Sequence, residues 1–102
     1  MNTAQIAETI LDQLGGQKFL AMTGAQYLVH GQNSKGNFLQ FKIRGGKTIV
    51  ITLTEDDEYS VEMLRLNRKT FEFKTLRAAR HVFACQLQDV FTAVTGLHTK
   101  LA

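Results

Sequence analysis

The chain predicts an α+β fold: an antiparallel sheet of about four to six strands, with an N-terminal helix and a long C-terminal helix packed on one face. Three patterns carry that expectation. Apolar residues recur at helical spacing near both ends, they alternate at period two through the middle, and glycine or acidic clusters punctuate the alternating runs.

Thr3 is placed to cap the first helix, in which Ile6, Ile10, Leu11 and Leu14 share a face, and Gly15-Gly16 ends it. Residues 18–22 and 26–30 read as short extended pieces around Gly24, which tolerates a positive φ. Residues 32–37 form a polar, glycine-containing link suited to an exposed loop. From Phe38 the period becomes two: Leu39, Phe41 and Ile43 alternate with Gln40, Lys42 and Arg44, and Ile49, Ile51 and Leu53 alternate with Thr48, Thr52 and Thr54.

Parity constrains how these strands pair. A two-residue turn at Gly45-Gly46 would place the two apolar rows on opposite faces, so a three-residue connection, 45–47, is expected, pairing Ile43 with Ile49, Phe41 with Ile51 and Leu39 with Leu53. The same rule sets Tyr59, Val61 and Met63 opposite Leu53, Ile51 and Ile49 across an acidic loop, 54–58. Phe71 and Phe73 supply a further strand whose register stays open, because Leu64 and Leu66 compete with Val61 and Met63 for it. Thr75 then caps a long helix striped by Leu76, Ala79, Phe83, Leu87, Val90, Phe91 and Val94 and closed by Gly96. Burying each Phe or Leu contributes roughly 1.5–3 kcal/mol, against ~0–1 kcal/mol for a surface salt bridge, so the apolar stripes rather than charge set the fold.

All 102 residues are expected to form one domain, 1–102, since this length supports a single core without disulfide or metal. An apolar share of 44% and a charged share of 21% belong to a globular chain rather than a disordered one. One cysteine, Cys85, excludes an internal disulfide. No apolar run approaches the ~20 residues of a membrane span, and no secretory signal opens the chain, so a soluble, cytoplasmic protein with no membrane partner is expected.

Catalysis has little footing. His30, His81 and His98 lie far apart with no metal-ligand spacing, and Cys85 has no partner at a recognised one. A helical His81–Cys85 pair would bring imidazole and thiol together, but a lone helical cysteine is usually a packing residue. Residues 55–58 are four consecutive acids without the alternation and central glycine of a calcium loop. The glycine pairs lack the spacing and lysine of a phosphate-binding loop. No enzyme, cofactor or metal is expected.

Charge gives the clearest functional signal. The net charge is +3, and six cations, Arg65, Arg68, Lys69, Lys74, Arg77 and Arg80, crowd one stretch in which Glu72 is the only acid, whereas the first 34 residues hold only Lys18. If they converge, they form a nucleic-acid-binding patch. Arg77 and Arg80, placed in the first turns of a helix, would oppose its dipole at ~0.3–1 kcal/mol each, a local cost consistent with use in binding. Phe38, Phe41, Phe71, Phe73, Phe83 and Phe91 are assigned to core or sheet, leaving Tyr27 and Tyr59 as exposed rings, which favours contacts to a duplex backbone over base stacking.

The run Leu14-Gly15-Gly16-Gln17-Lys18-Phe19-Leu20-Ala21-Met22-Thr23-Gly24-Ala25, the strand Val50-Ile51-Thr52-Leu53-Thr54, and Gln86-Leu87-Gln88-Asp89-Val90-Phe91 with Thr95-Gly96-Leu97 resemble a family of short uncharacterised bacteriophage and prophage proteins. Residues 76–84 depart from that pattern. The resemblance implies a viral or mobile-element origin and a host-cell cytoplasmic setting, and it assigns no site residue. Two expectations follow: a phage accessory protein binding nucleic acid, or a protein-interaction module, either an inhibitor of a host factor or a homo-oligomer, contacting host or phage protein through a strand edge or the C-terminal helix.

Overall fold

The computed structural model describes residues 3–43 and 45–96. Helix α1 (Thr3–Leu14) is followed at once by α2 (Gly16–Thr23), then by five strands, β1 (Gln26–Asn33), β2 (Gly36–Lys42), β3 (Thr48–Thr54), β4 (Tyr59–Asn67) and β5 (Glu72–Val82), a short 3-10 turn (Ala84–Gln86) and α3 (Leu87–Thr95). The strands form one antiparallel meander in chain order, leaving β1 and β5 as edges. An α+β fold of five antiparallel strands with N- and C-terminal helices is thus the architecture.

Alternation builds the core. Leu39, Ile51 and Val61 stand side by side across β2, β3 and β4, as do Phe41, Ile49 and Met63. These rows join Ile6, Ile10 and Leu14 of α1, Phe19 of α2, and Leu87, Phe91 and Val94 of α3 in one buried cluster. Phe19 meets Phe41 and Phe91 edge-on, with centroids 5.4 and 5.1 Å apart. Such pairs add about 0.5–1.5 kcal/mol to what their burial contributes. No helix among the described residues is long and apolar enough to cross a membrane.

Several expectations are met. Across 54–58, Leu53 pairs with Tyr59, Ile51 with Val61 and Ile49 with Met63, as parity requires. The loop is closed by Thr54 N–H donating to the Glu58 carbonyl. Gly24 takes the positive φ it tolerates, and Gly96 ends α3 in the left-handed conformation.

Other expectations are corrected. Thr3 lies within α1 rather than before it, and its hydroxyl is 3.2 Å from His30 Nδ1. Residues 18–22 are helical: Gly16, at φ +61, restarts the chain directly after α1, and Phe19 and Thr23 fall four apart on the buried side, with the Thr23 hydroxyl donating to the Phe19 carbonyl. A helix this short has little stability of its own, and burial of Phe19 holds it. Residues 32–37 are a hairpin rather than a loop, because Asn33 Oδ1 accepts the N–H groups of Lys35 and Gly36 and tightens the turn.

Between β2 and β3 the parity is as expected, but the register slides by two residues. Phe41 faces Ile49 and Leu39 faces Ile51, and the Ile43 N–H donates to the Lys47 carbonyl. Gly45 and Gly46 lie inside the connection, both at positive φ, and its closure stands at Ile43 and Lys47.

The largest correction lies at 75–86. Thr75 caps no helix; β5 runs to Val82, and α3 begins only at Leu87. Arg77-Ala78-Ala79-Arg80 suits a helix by composition, yet pairing with β4 satisfies a row of backbone groups that would otherwise edge the sheet. Two bulges in that pairing obscure the period-two pattern. Of the expected stripe, only Leu87, Val90, Phe91 and Val94 lie in α3, and Phe83 is exposed.

Candidate nucleic-acid interface

The β2–β3 connection and the β4–β5 hairpin lie at the same end of the meander, and between them opens a cleft of about 810 Å³. Lys42 enters it from the end of β2, Gly45 and Gly46 from the connection, and Thr48 from the start of β3. Arg65, Leu66 and Asn67 come from β4, Arg68 and Lys69 from the hairpin turn, and Phe73, Lys74 and Leu76 from β5. Among the described residues, five cations line this cleft and no carboxylate does.

The hairpin that carries most of them is fixed by its own sequence. Asn67 Oδ1 accepts the Lys69 N–H at 2.9 Å, and the Asn67 carbonyl accepts the Phe71 N–H at 2.7 Å, closing a tight turn. Phe71 takes φ +58 to complete it. A bulky side chain in the left-handed region is uncommon and strained. Beyond the turn, register sets Arg65 directly opposite Lys74 and Leu66 directly opposite Phe73.

The first of these pairs is electrostatically unfavourable, because like charges facing each other across two strands repel. Among the described residues the ion pairs are Lys35 with Glu62 and His81 with Glu58, and neither touches the cleft. Glu72, the one acid in this stretch, pairs in register with Asn67 and is exposed, outside the lining. The cleft is therefore a concentrated positive field, which an anion would relieve.

Of the six cations singled out from the sequence, Arg65, Arg68, Lys69 and Lys74 converge here, while Arg77 and Arg80 lie elsewhere on β5. Because β5 is a strand, Arg77 and Arg80, three residues apart, fall on opposite faces, and neither opposes a helix dipole. Arg77 faces Met63 and donates to the Ala93 carbonyl in the last turn of α3, at 3.3 Å, where a cation complements the helix end.

Lys42 was missed, since it stands 23 residues before Arg65 in sequence and only sheet closure brings it near; its ammonium also sits 5.6 Å from the Tyr27 ring centroid. The aromatic assignment also changes. Phe71 is 78% exposed and Phe73 55% exposed, so neither belongs to the core, whereas Tyr59 is buried. The signal available in the sequence was the clustering itself, since two phenylalanines standing among cations need not face inward.

The other candidate groups do not assemble. Cys85 is exposed in the 3-10 turn and His81 lies in β5, so the helical His81–Cys85 pairing does not exist. His81 Nδ1 instead stands 2.6 Å from Glu58 Oε2. Glu55, Asp56 and Asp57 are exposed in their loop. His98 lies outside the described residues. Among those residues, no group of three or more His, Cys, Asp or Glu is arranged to hold a metal.

Compared with family models, curated proteins and solved structures, the chain matches none.

Proposed function

We propose that this chain is a small non-enzymatic accessory protein of phage or mobile-element origin that binds nucleic-acid phosphates in the basic cleft. The observation that carries the reading is the facing of Arg65 and Lys74 across β4 and β5, with Arg68, Lys69 and Lys42 in the same lining and no carboxylate there among the described residues. An arrangement that costs folding energy through like-charge repulsion and has no internal relief is best accounted for by an anionic ligand. Lysine and arginine at this density match a phosphate backbone, whose neutralisation releases counterions and drives binding.

Salt dependence tests it. Labelled single-stranded and duplex DNA are titrated between 50 and 200 mM salt and followed by anisotropy; contacts from four or five cations give a slope of log affinity against log salt of about −3 to −3.5 for single strands and about −3.5 to −4.5 for duplex. The double variant Arg65→Glu, Lys74→Glu reduces the magnitude of that slope by about 1.5–2 and weakens binding. Absence of binding to both forms at the lowest salt ends the proposal.

A second reading rests on β1. Tyr27, Leu28 and Val29 are three consecutive exposed apolar residues on an edge strand. Both edges carry irregular register, which disfavours strand-to-strand addition, so a protein contact here would run through these side chains. Sedimentation velocity over a concentration series separates the two readings: self-association that Val29→Lys abolishes favours this one, and a monomer throughout removes its homo-oligomeric form.

A further inference from the structure

Building on the phosphate-binding reading, we infer that the nucleic acid taken by the cleft is single-stranded, with Phe73 as the platform on which a base stacks. Phe73 is 55% exposed although it sits within the lining, and its cross-strand partner Leu66 and neighbour Leu76, each 37% exposed, extend an apolar surface beside it. The same lining holds Lys42, Arg65, Arg68, Lys69 and Lys74. An apolar ring in a lining that also holds cations is the combination that single strands require, a π-face for the base and positive charge for its phosphate.

The folded chain forgoes part of what this side chain could contribute. Full burial would stabilise the fold further, and the sheet leaves about half of the ring in solvent. Phe71, 78% exposed at φ +58, adds a second unburied ring in a strained conformation two residues earlier, and strain of this kind is characteristic of binding sites.

Base accessibility separates single strand from duplex. A cleft of about 810 Å³ falls within the range of small-ligand sites, ~300–1,000 Å³, and so has room for a short stretch of single strand. In a duplex the base faces are already stacked on one another, whereas a single strand offers them to an exposed ring.

The test uses the full chain with labelled oligo(dT), a duplex of equal phosphate number and thymidine monophosphate at one salt concentration, in wild type, Phe73→Ala and the Arg65→Glu, Lys74→Glu double variant. Oligo(dT) is expected to bind tighter than duplex, and Phe73→Ala to weaken oligo(dT) by roughly tenfold or more with its salt slope and the duplex affinity unchanged. Because the chain has no tryptophan, Phe73→Trp supplies a single reporter whose emission oligo(dT) quenches. If Phe73→Ala leaves oligo(dT) binding intact, or weakens oligo(dT) and duplex alike, while the charge reversal still abolishes both, stacking is refuted and phosphate binding stands. If the monophosphate binds as tightly as the oligomer, the occupant is a free nucleotide and the single-strand assignment is wrong. If nothing binds, both readings fall together. An unchanged thermal melt of Phe73→Ala shows that any loss is not a folding defect.

Discussion

Five of the seven phenylalanines fall into two contrasting sets. Phe19, Phe41 and Phe91, drawn from α2, β2 and α3, are fully buried and touch one another at the centre of the core. Phe71 and Phe73, at the β4–β5 hairpin, face solvent among arginines and lysines. One residue type therefore does two jobs. The buried rings stand where three elements converge and exclude water from every side. The hairpin rings stand at one edge of the sheet, beside a turn and outside the buried cluster.

That contrast can be broken by substitution. The largest effect is expected in the core: Phe91→Ala removes a ring in contact with Phe19 and Phe41 and costs about 3–5 kcal/mol, a large share of the 5–15 kcal/mol typical of a small domain. Urea denaturation checks it, and a loss below about 1 kcal/mol would show that the cluster is not the fold's centre.

A smaller effect concerns Tyr59, buried beside the core at the start of β4. Burial pushes its phenol above the ordinary value near 10, a hydrogen bond from Gln13 pulls partly back, and the Asp57 carboxylate adds to the rise. The folded state thus holds the proton more tightly than the unfolded state. Stability is full below about pH 10 and falls as pH rises past it, by at most about 1.4 kcal/mol per pH unit. Melting wild type and Tyr59→Phe from pH 8 to 11 should show the decline shallower in the variant, and identical pH profiles would count against a buried phenol.

The smallest stability effect belongs to the other ring set. Phe73→Ala should change the denaturation midpoint by an amount equivalent to no more than about 0.5 kcal/mol, because the ring is largely in solvent. A loss as large as that of Phe91→Ala would erase the distinction and place Phe73 in the core after all.

Much of this organisation was legible along the chain. The rows Ile49, Ile51, Leu53 and Tyr59, Val61, Met63 meet in the register that alternation and loop length demand, because a slip of one residue would expose every apolar side chain in the strand. The faces of α1 and of α3 beyond Leu87 follow their 3.6-residue spacing, and Gly96 sits where a left-handed cap is needed. The two-residue slide at Gly45-Gly46 escaped parity, which cannot distinguish registers that differ by an even number. Four of the six cations were named correctly as a group that converges, since a hairpin keeps sequence neighbours together in space.

The sequence by itself determined the apolar faces, the acidic loop between β3 and β4, and the local concentration of cations, all of which depend on period and proximity along the backbone. Only tertiary structure decided that 75–82 is a strand, that Lys42 joins the cleft, that Arg77 turns to the end of α3, and that Phe73 is left uncovered. The reason is physical: a segment of mixed propensity takes the conformation that pairs its neighbour's backbone, and exposure depends on which elements remain to cover a surface once the core is closed.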